Sequence, residues 1–353
     1  MMKLDADQLG KRVGYLDSLK GFAILLVALG HICAGYMAAQ MYPSARGVLT
    51  AIHKAIYMFH MPLFMTISGY VFHVAYFTND GDPKRDRIFR QTLNLIAVYF
   101  LFSLMLGLLK MAAARYTNSA TTWKDILSIP VLSISPYWYL YVLVTLYLLF
   151  SAGRGWICRI RPAVLLPVMA FLSVLGQFIG TDVWFELGRT LHYSFFFALG
   201  VVLHCQGKAF SVNAIATVAF GVCACTLALG SWHGVDPAPA VPLVNLMLGF
   251  FFTLFFWGVF SKVRFIAKNR VLRLVGCYSL EIYVLHCIFS AGQRPVLQRL
   301  GVSSAFIGTV LNLICSVLLS VLLGFACKCL RIHELLFKPV SYFSHKSANL
   351  KAD

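Results

Sequence analysis

The chain has 353 residues, 59% hydrophobic and only 12% charged, with a mean hydropathy of +0.77. A soluble domain carries about 25% charged residues, so half that level cannot cover a globule of this size, and a soluble enzyme is excluded along with a disordered chain. The net charge of +17 falls in short clusters between apolar runs, such as Lys84–Arg85–Arg87–Arg90 and Lys262–Arg264–Lys268–Arg270–Arg273. No basic stripe is interleaved with base-stacking aromatics, so no nucleic-acid partner is expected.

The expected class is an all-α, polytopic integral membrane protein with about ten spans, each near the ~20 apolar residues a bilayer core requires. Their bounds are 21–38, 55–77, 91–113, 137–153, 163–180, 189–205, 209–230, 241–260, 274–292 and 305–330. With both termini inside, the inner segments hold 22 Lys and Arg and the outer ones 8, the bias that the positive-inside rule requires. This divides the chain into a cytoplasmic N-terminal segment (1–20), a membrane domain (21–330) and a cytoplasmic C-terminal tail (331–353). The first apolar run starts near Gly21 with no small-residue cleavage site before Gln40, so it reads as a retained span rather than a signal peptide. The ten cysteines lie in spans or near the reducing side and read as small hydrophobes.

Ionisable side chains at membrane depth are costly unless they are paired or functional. In span 1, Lys20 and His31 are eleven residues apart, about 20° past three full turns, and so share a face with roughly 16 Å between them. Asp17 lies one turn before Lys20 on nearly the same face. Lys20 also fits a snorkelling anchor, and His31 a buried histidine bonded to a neighbour. His53 and His60, seven apart, share a face at the entry to span 2. Pro62 suits a first helical turn, and Ser68-Gly69 is a small pair that admits a close helix neighbour.

Arg87 and Arg90 form R-x-x-R on the inner approach to span 3, either as topology charges or as a phosphate clamp. At the outer start of span 6, Arg189 is placed to meet an acceptor or to sit among headgroups. Span 9 carries Glu281, Tyr283 and His286, an acid and an imidazole within one short apolar run and a second candidate pair. No P-loop, G-x-S-x-G, H-E-x-x-H or dinucleotide fingerprint occurs. A transporter or flippase with a histidine proton relay is the competing class; no half-to-half similarity of the kind that inverted repeats leave is visible.

Together these strings resemble the acyltransferase-3 family of membrane acyltransferases, in its fucose 4-O-acetylase-like branch. The resemblance runs through LDSLKGFAILLVALGH in span 1, FHMPLFMTISGY in span 2, R-x-x-R at Arg87 and Arg90, WYLYVLVTLYLL in span 4, the run from Arg189 to Gly200, and YSLEIYVLH in span 9. It implies ten core helices and transfer of a short acyl group, usually from acetyl-CoA on the cytoplasmic side, to a hydroxyl of a cell-surface or lipid-linked sugar. The implied partners are the plasma-membrane bilayer, the acyl-CoA and the glycan acceptor, with no metal. The family's span 1 pattern is R-x10-H; here Lys20 stands in the arginine position, keeping the charge without the bidentate fork.

On that resemblance His31 is the natural base, with Lys20, Arg87 and Arg90 holding the CoA end and Asp17 orienting the cation. His286 with Glu281 serves proton relay or structural pairing, and Arg189, Ser68 and Tyr283 are candidates for acceptor contact. No Ser or Cys stands out as a covalent nucleophile, so direct transfer is the simpler expectation.

Overall fold

In lipid a backbone must satisfy its own hydrogen bonds, which helices do within one segment. The computed structural model describes residues 14–77, 84–114, 121–152, 160–180, 183–205, 212–231 and 241–343, and most of these are helical. The helices are α1 (Gly14–Ala38), α2 (Arg46–Tyr57), α3 (His60–Tyr76), α4 (Arg85–Ala112), α5 (Trp123–Leu127), α6 (Trp138–Ala152), α7 (Pro162–Ile179) and α8 (Leu187–Cys205). After these come α9 (Ala214–Gly230), α10 (Pro242–Lys262), α11 (Arg264–Ala267), α12 (Arg270–Cys277), α13 (Ser279–Arg299), α14 (Ala305–Cys329) and α15 (His333–Phe337).

Six helical stretches among the described residues are long and apolar enough to cross a membrane, and the bent pair α12–α13 would make a seventh. The shorter helices α6 and α9 are apolar as well. Large hydrophobic side chains face outward on the peripheral helices, with Phe178 on α7, Ile215 on α9 and Phe306 on α14 each more than 70% exposed. In water that would be an aggregation surface; here it is the surface that meets lipid tails. The chain is a multi-pass membrane protein.

One of the expected spans is broken and another is interrupted without a sharp bend. The run 55–77 belongs to a single stretch, Pro43–Tyr76, with an irregular step at Met58–Phe59 between α2 and α3. Pro62, third residue of α3, has no N–H to return to the Met58 carbonyl four residues back, so the helical hydrogen bonding is interrupted there. The run 274–292 divides at Tyr278 into α12 and α13, which meet at 83°. Arg270 and Arg273 on α12 are exposed and cannot enter hydrocarbon; the chain runs along the bundle until those charges are behind it and only then turns inward as α13.

Small residues set the closest crossings. A Cβ on Gly69 would stand 2.0 Å from the Phe197 carbonyl oxygen, and one on Gly200 would stand 2.0 Å from that of Thr66, so α3 and α8 touch backbone to backbone. Gly21 and Gly276 repeat the pattern between α1 and α12, where added Cβ atoms would lie 1.9 Å from the carbonyl oxygens of Leu272 and Asp17. Packing of this kind, rather than hydrophobic exclusion, holds helices together inside a bilayer.

Both ends join the bundle more closely than the 1–20 and 331–353 divisions anticipate. Residues 14–20 are already the first turns of α1, with Asp17 buried. Beyond α14, the His333 ring reaches Glu281, Phe337 is buried, and Asn94 on α4 bonds to Ser341 and Val340. Cys205 is disulfide-bonded, against the expectation of ten free thiols, while Cys223, Cys225, Cys277 and Cys329 are exposed rather than buried.

Candidate active site

The seam between α1 and α13 brings two histidines together. The rings of His31 and His286 lie 5.3 Å apart between centroids at 52°. His286 is fully buried, and its Nδ1 lies 2.9 Å from the Ile282 carbonyl and 2.8 Å from that of Tyr283. Carbonyls only accept, so Nδ1 carries the proton and Nε2 presents its lone pair to the site. The Cys287 sulfur lies 3.2 Å from that Nε2.

A ring stack closes the pair from the side of α2 and α3. His53 stacks on Tyr57 at 3.9 Å, and Tyr57 tilts against His60 at 4.6 Å. The Tyr57 ring presses on Gly30, where a Cβ would stand 2.9 Å from Cε2, one residue before His31. The His60 Nδ1 bonds to the Ile56 carbonyl across the α2–α3 step. The expected common face of His53 and His60 therefore survives the step, with Tyr57 wedged between them.

Below the pair, toward the Lys20 end of α1, lies a cavity of about 190 Å³ lined by Lys20, Ser68, Gln91, Tyr139, Ser279 and Tyr283 among others. Ser68 and Tyr139 hydrogen-bond at 2.6 Å across it. The Tyr283 hydroxyl donates to the Pro136 carbonyl, which fixes its ring between the cavity and His286. Arg87 and Arg90 are exposed on the first turns of α4, with the Arg90 Nε donating to the Asp86 carbonyl. Arg87 sits four residues before Gln91 and eight before Leu95, both of which line the cavity, so it continues their stripe toward the N-terminal end of α4. Lys20, Ser68 and Tyr283 thus line one cavity, while His31 and His286 meet at the α1–α13 seam beside it, with the Tyr283 ring 6.3 Å from that of His286.

Two expected roles find other geometry. Glu281 does not pair with His286. Its buried carboxylate accepts from His333 Nε2 at 2.8 Å and lies 3.9 Å from Lys328 Nζ, tying α13 to α14 and α15. Five residues separate Glu281 from His286, and that spacing turns the two side chains to different sides of the helix. Arg189 pairs with Glu186 and lies 5.1 Å over the Trp138 ring; Glu186 also accepts from the Ser133 hydroxyl. That group braces the segment before α6. Asp17 lies one turn from Lys20 at the α1–α12 crossing, its carbonyl against Gly276.

His31, His286 and Cys287 offer one N or S atom each within 4.8 Å of one another. Three N/S donors with an open fourth position is a pattern that a zinc-like ion accepts, and Nδ1–H bonds from a metal-binding histidine to backbone carbonyls are usual. The same atoms, without an ion, are a thiol, its base and a second imidazole.

The acyltransferase-3 family, described as an acyltransferase domain, matches residues 13–328. The chain belongs to that family. Across the match lie α1 with Lys20 and His31, the cavity, and α13 with His286. Among curated proteins, the nodulation protein NolL of Sinorhizobium fredii (strain NBRC 101917 / NGR234) is 27% identical over 184 residues, 49% of this chain and 46% of NolL; the chain thus spans about half the length of that relative. No solved structure matches it.

Proposed function

We propose that the protein is a membrane O-acyltransferase that moves an acetyl or similar short acyl group from cytoplasmic acyl-CoA to a hydroxyl of a cell-surface or lipid-linked sugar. The observation that carries the reading is the pair His31–His286 in a chain of the acyltransferase-3 family, beside a cavity lined by Tyr283 and Lys20.

A thioester carbonyl brought into the cavity would lie on the Tyr283 side of the histidines, with the CoA phosphates toward Lys20, Arg87 and Arg90. A guanidinium or ammonium at that mouth supplies charge-assisted bonds to phosphate. The acceptor hydroxyl must lose its proton as it attacks, and a neutral imidazole in water-poor surroundings is a competent base. His31 takes that role. His286, with its tautomer fixed by its own helix, stands ready to receive or return a proton. The N-in/C-in orientation puts the cavity mouth in the cytoplasm and the His31 side toward the outside of the plasma membrane, with the membrane domain spanning 21–330.

Glycan mass spectrometry with and without the gene tests the reading. One acetyl unit per sugar that appears only with the gene supports it. A glycan profile unchanged by deletion, with transport of a lipid-linked sugar lost instead, would establish the flippase alternative.

A further inference from the structure

We infer that Cys287 is a covalent acyl carrier: the acyl group passes from CoA to the Cys287 sulfur, with His286 as its base, and from there to the acceptor hydroxyl. This rests on the acyltransferase reading above and adds a residue to it.

Three features of α13 point the same way. The Cys287 Sγ is 3.2 Å from His286 Nε2, and that nitrogen bears the lone pair because Nδ1–H is held by the Ile282 and Tyr283 carbonyls. Nucleophile, base and a third group that orients the base are the three parts of an activated nucleophile. Next, Leu280 and Tyr283 line the donor cavity, and Cys287 lies four residues after Tyr283, on the same stripe and one turn, about 6 Å, deeper. Lastly, Cys287 is half-buried rather than sealed in the core.

The steps balance without any further reagent. A free thiolate in a low-dielectric interior is costly, so the Cys287 proton leaves for His286 Nε2 as sulfur attacks the thioester carbonyl. The new carbon–sulfur bond to Cys287 forms, the bond to CoA breaks, and the departing CoA sulfur takes the proton back from His286. One thioester is exchanged for another, so the step is close to neutral in energy. In the second half the acceptor hydroxyl gives its proton to His31 and attacks the Cys287 thioester. The carbon–oxygen bond forms, the carbon–sulfur bond breaks, and the proton held by His31 passes to the Cys287 sulfur. CoA can then leave by the cytoplasmic cavity before the acceptor arrives, and two imidazoles divide two proton transfers between them.

The test uses full-length protein purified in detergent, with EDTA present to keep the thiol clear of metal. Incubation with radiolabelled acetyl-CoA and no acceptor, followed by an acid quench and peptide mass spectrometry, should place one acetyl group on Cys287, released by hydroxylamine. C287A should remain unlabelled and lose glycan acetylation in cells while extracting and melting like wild type. A C287A protein that acetylates glycans at the wild-type level overturns the carrier and leaves the acyltransferase intact. So does a wild-type protein that acetylates glycans in cells but takes up no label, or takes it up elsewhere. Glycans left unacetylated by wild type would instead remove the acyltransferase reading, and the carrier with it. If C287A fails to fold, C287S decides: an acetyl group held there as an ester that resists neutral hydroxylamine supports the carrier, and unlabelled, active C287S overturns it.

Discussion

At the scale of single residues, the proposed mechanism makes His31 the side chain on which turnover should most depend. General-base assistance contributes about 10²–10⁴-fold, so His31→Gln, which keeps hydrogen bonding without basicity, should lower kcat by about that factor while acyl-CoA still binds at the Lys20 end, about 16 Å away along α1. Retention of more than about a tenth of turnover would move the base to His286. Arg87→Ala and Arg90→Ala should act on the donor instead. Each removes a charge-assisted contact of about 1.5–3 kcal/mol, which corresponds to a rise in KM for acyl-CoA of roughly ten- to a hundredfold with KM for the acceptor unchanged. Donor affinity unaltered in both variants would return these arginines to a topological role. Lys20, His31 and His286 were legible because charges and imidazoles stand out in apolar runs. Cys287 was not: neighbours in sequence point about 100° apart on a helix, so nothing in the spacing predicts that its sulfur reaches His286. Tyr57 was equally hidden, since its place between His53 and His60 arises only from the α2–α3 step.

At the scale of helices, the reciprocal glycine contacts govern assembly. Gly69→Ala must push α3 from α8, because its methyl would overlap the Phe197 carbonyl; overpacking of this kind destabilises by about 1–3 kcal/mol. A thermal melt in detergent should register a clear fall in Tm. Gly47→Ala on α2, where an added Cβ meets nothing within 4 Å, should leave Tm unchanged or raise it, since alanine favours helix by up to about 1 kcal/mol. Equal melting of the two variants would show that the α3–α8 contact does not limit stability. The Ser68-Gly69 pair announced this crossing in the sequence, whereas its partner Gly200 was visible only as the end of the Arg189–Gly200 run. Glu281 shows the converse. An acid five residues from an imidazole invited pairing, but the carboxylate turned to His333, 52 residues away, and no local pattern reports a contact of that range.

For the whole molecule, the distribution of charge predicts an orientation with the N-terminus inside. Cysteine labelling in a Cys-depleted background should find Lys84→Cys reactive from the cytoplasm and Asp236→Cys from outside; position 236 lies outside the described residues. Labelling of both from one side would refute the ten-span arrangement. Class and approximate span positions were legible because hydrocarbon tolerates so few alternatives. The irregular step at Met58–Phe59 and the 83° corner at Tyr278 were not, because hydropathy averages over the few residues at which a helix is interrupted.

The corner at Tyr278 carries a consequence for tuning. His31 belongs to α1, which is interlocked with α12 through Gly21 and Gly276, whereas His286 rides on the arm that leaves α12 at 83°. From Ser279 to His286 that arm is roughly 10 Å long, so a change of about 10° at the corner swings the imidazole by nearly 2 Å. Misplacement by about 1 Å can slow a reaction a hundredfold. Direct packing of α13 on α1 holds the two rings together, and a substrate, a lipid or a substitution that shifts the Tyr278 corner against that packing would reach the ring pair from a distance.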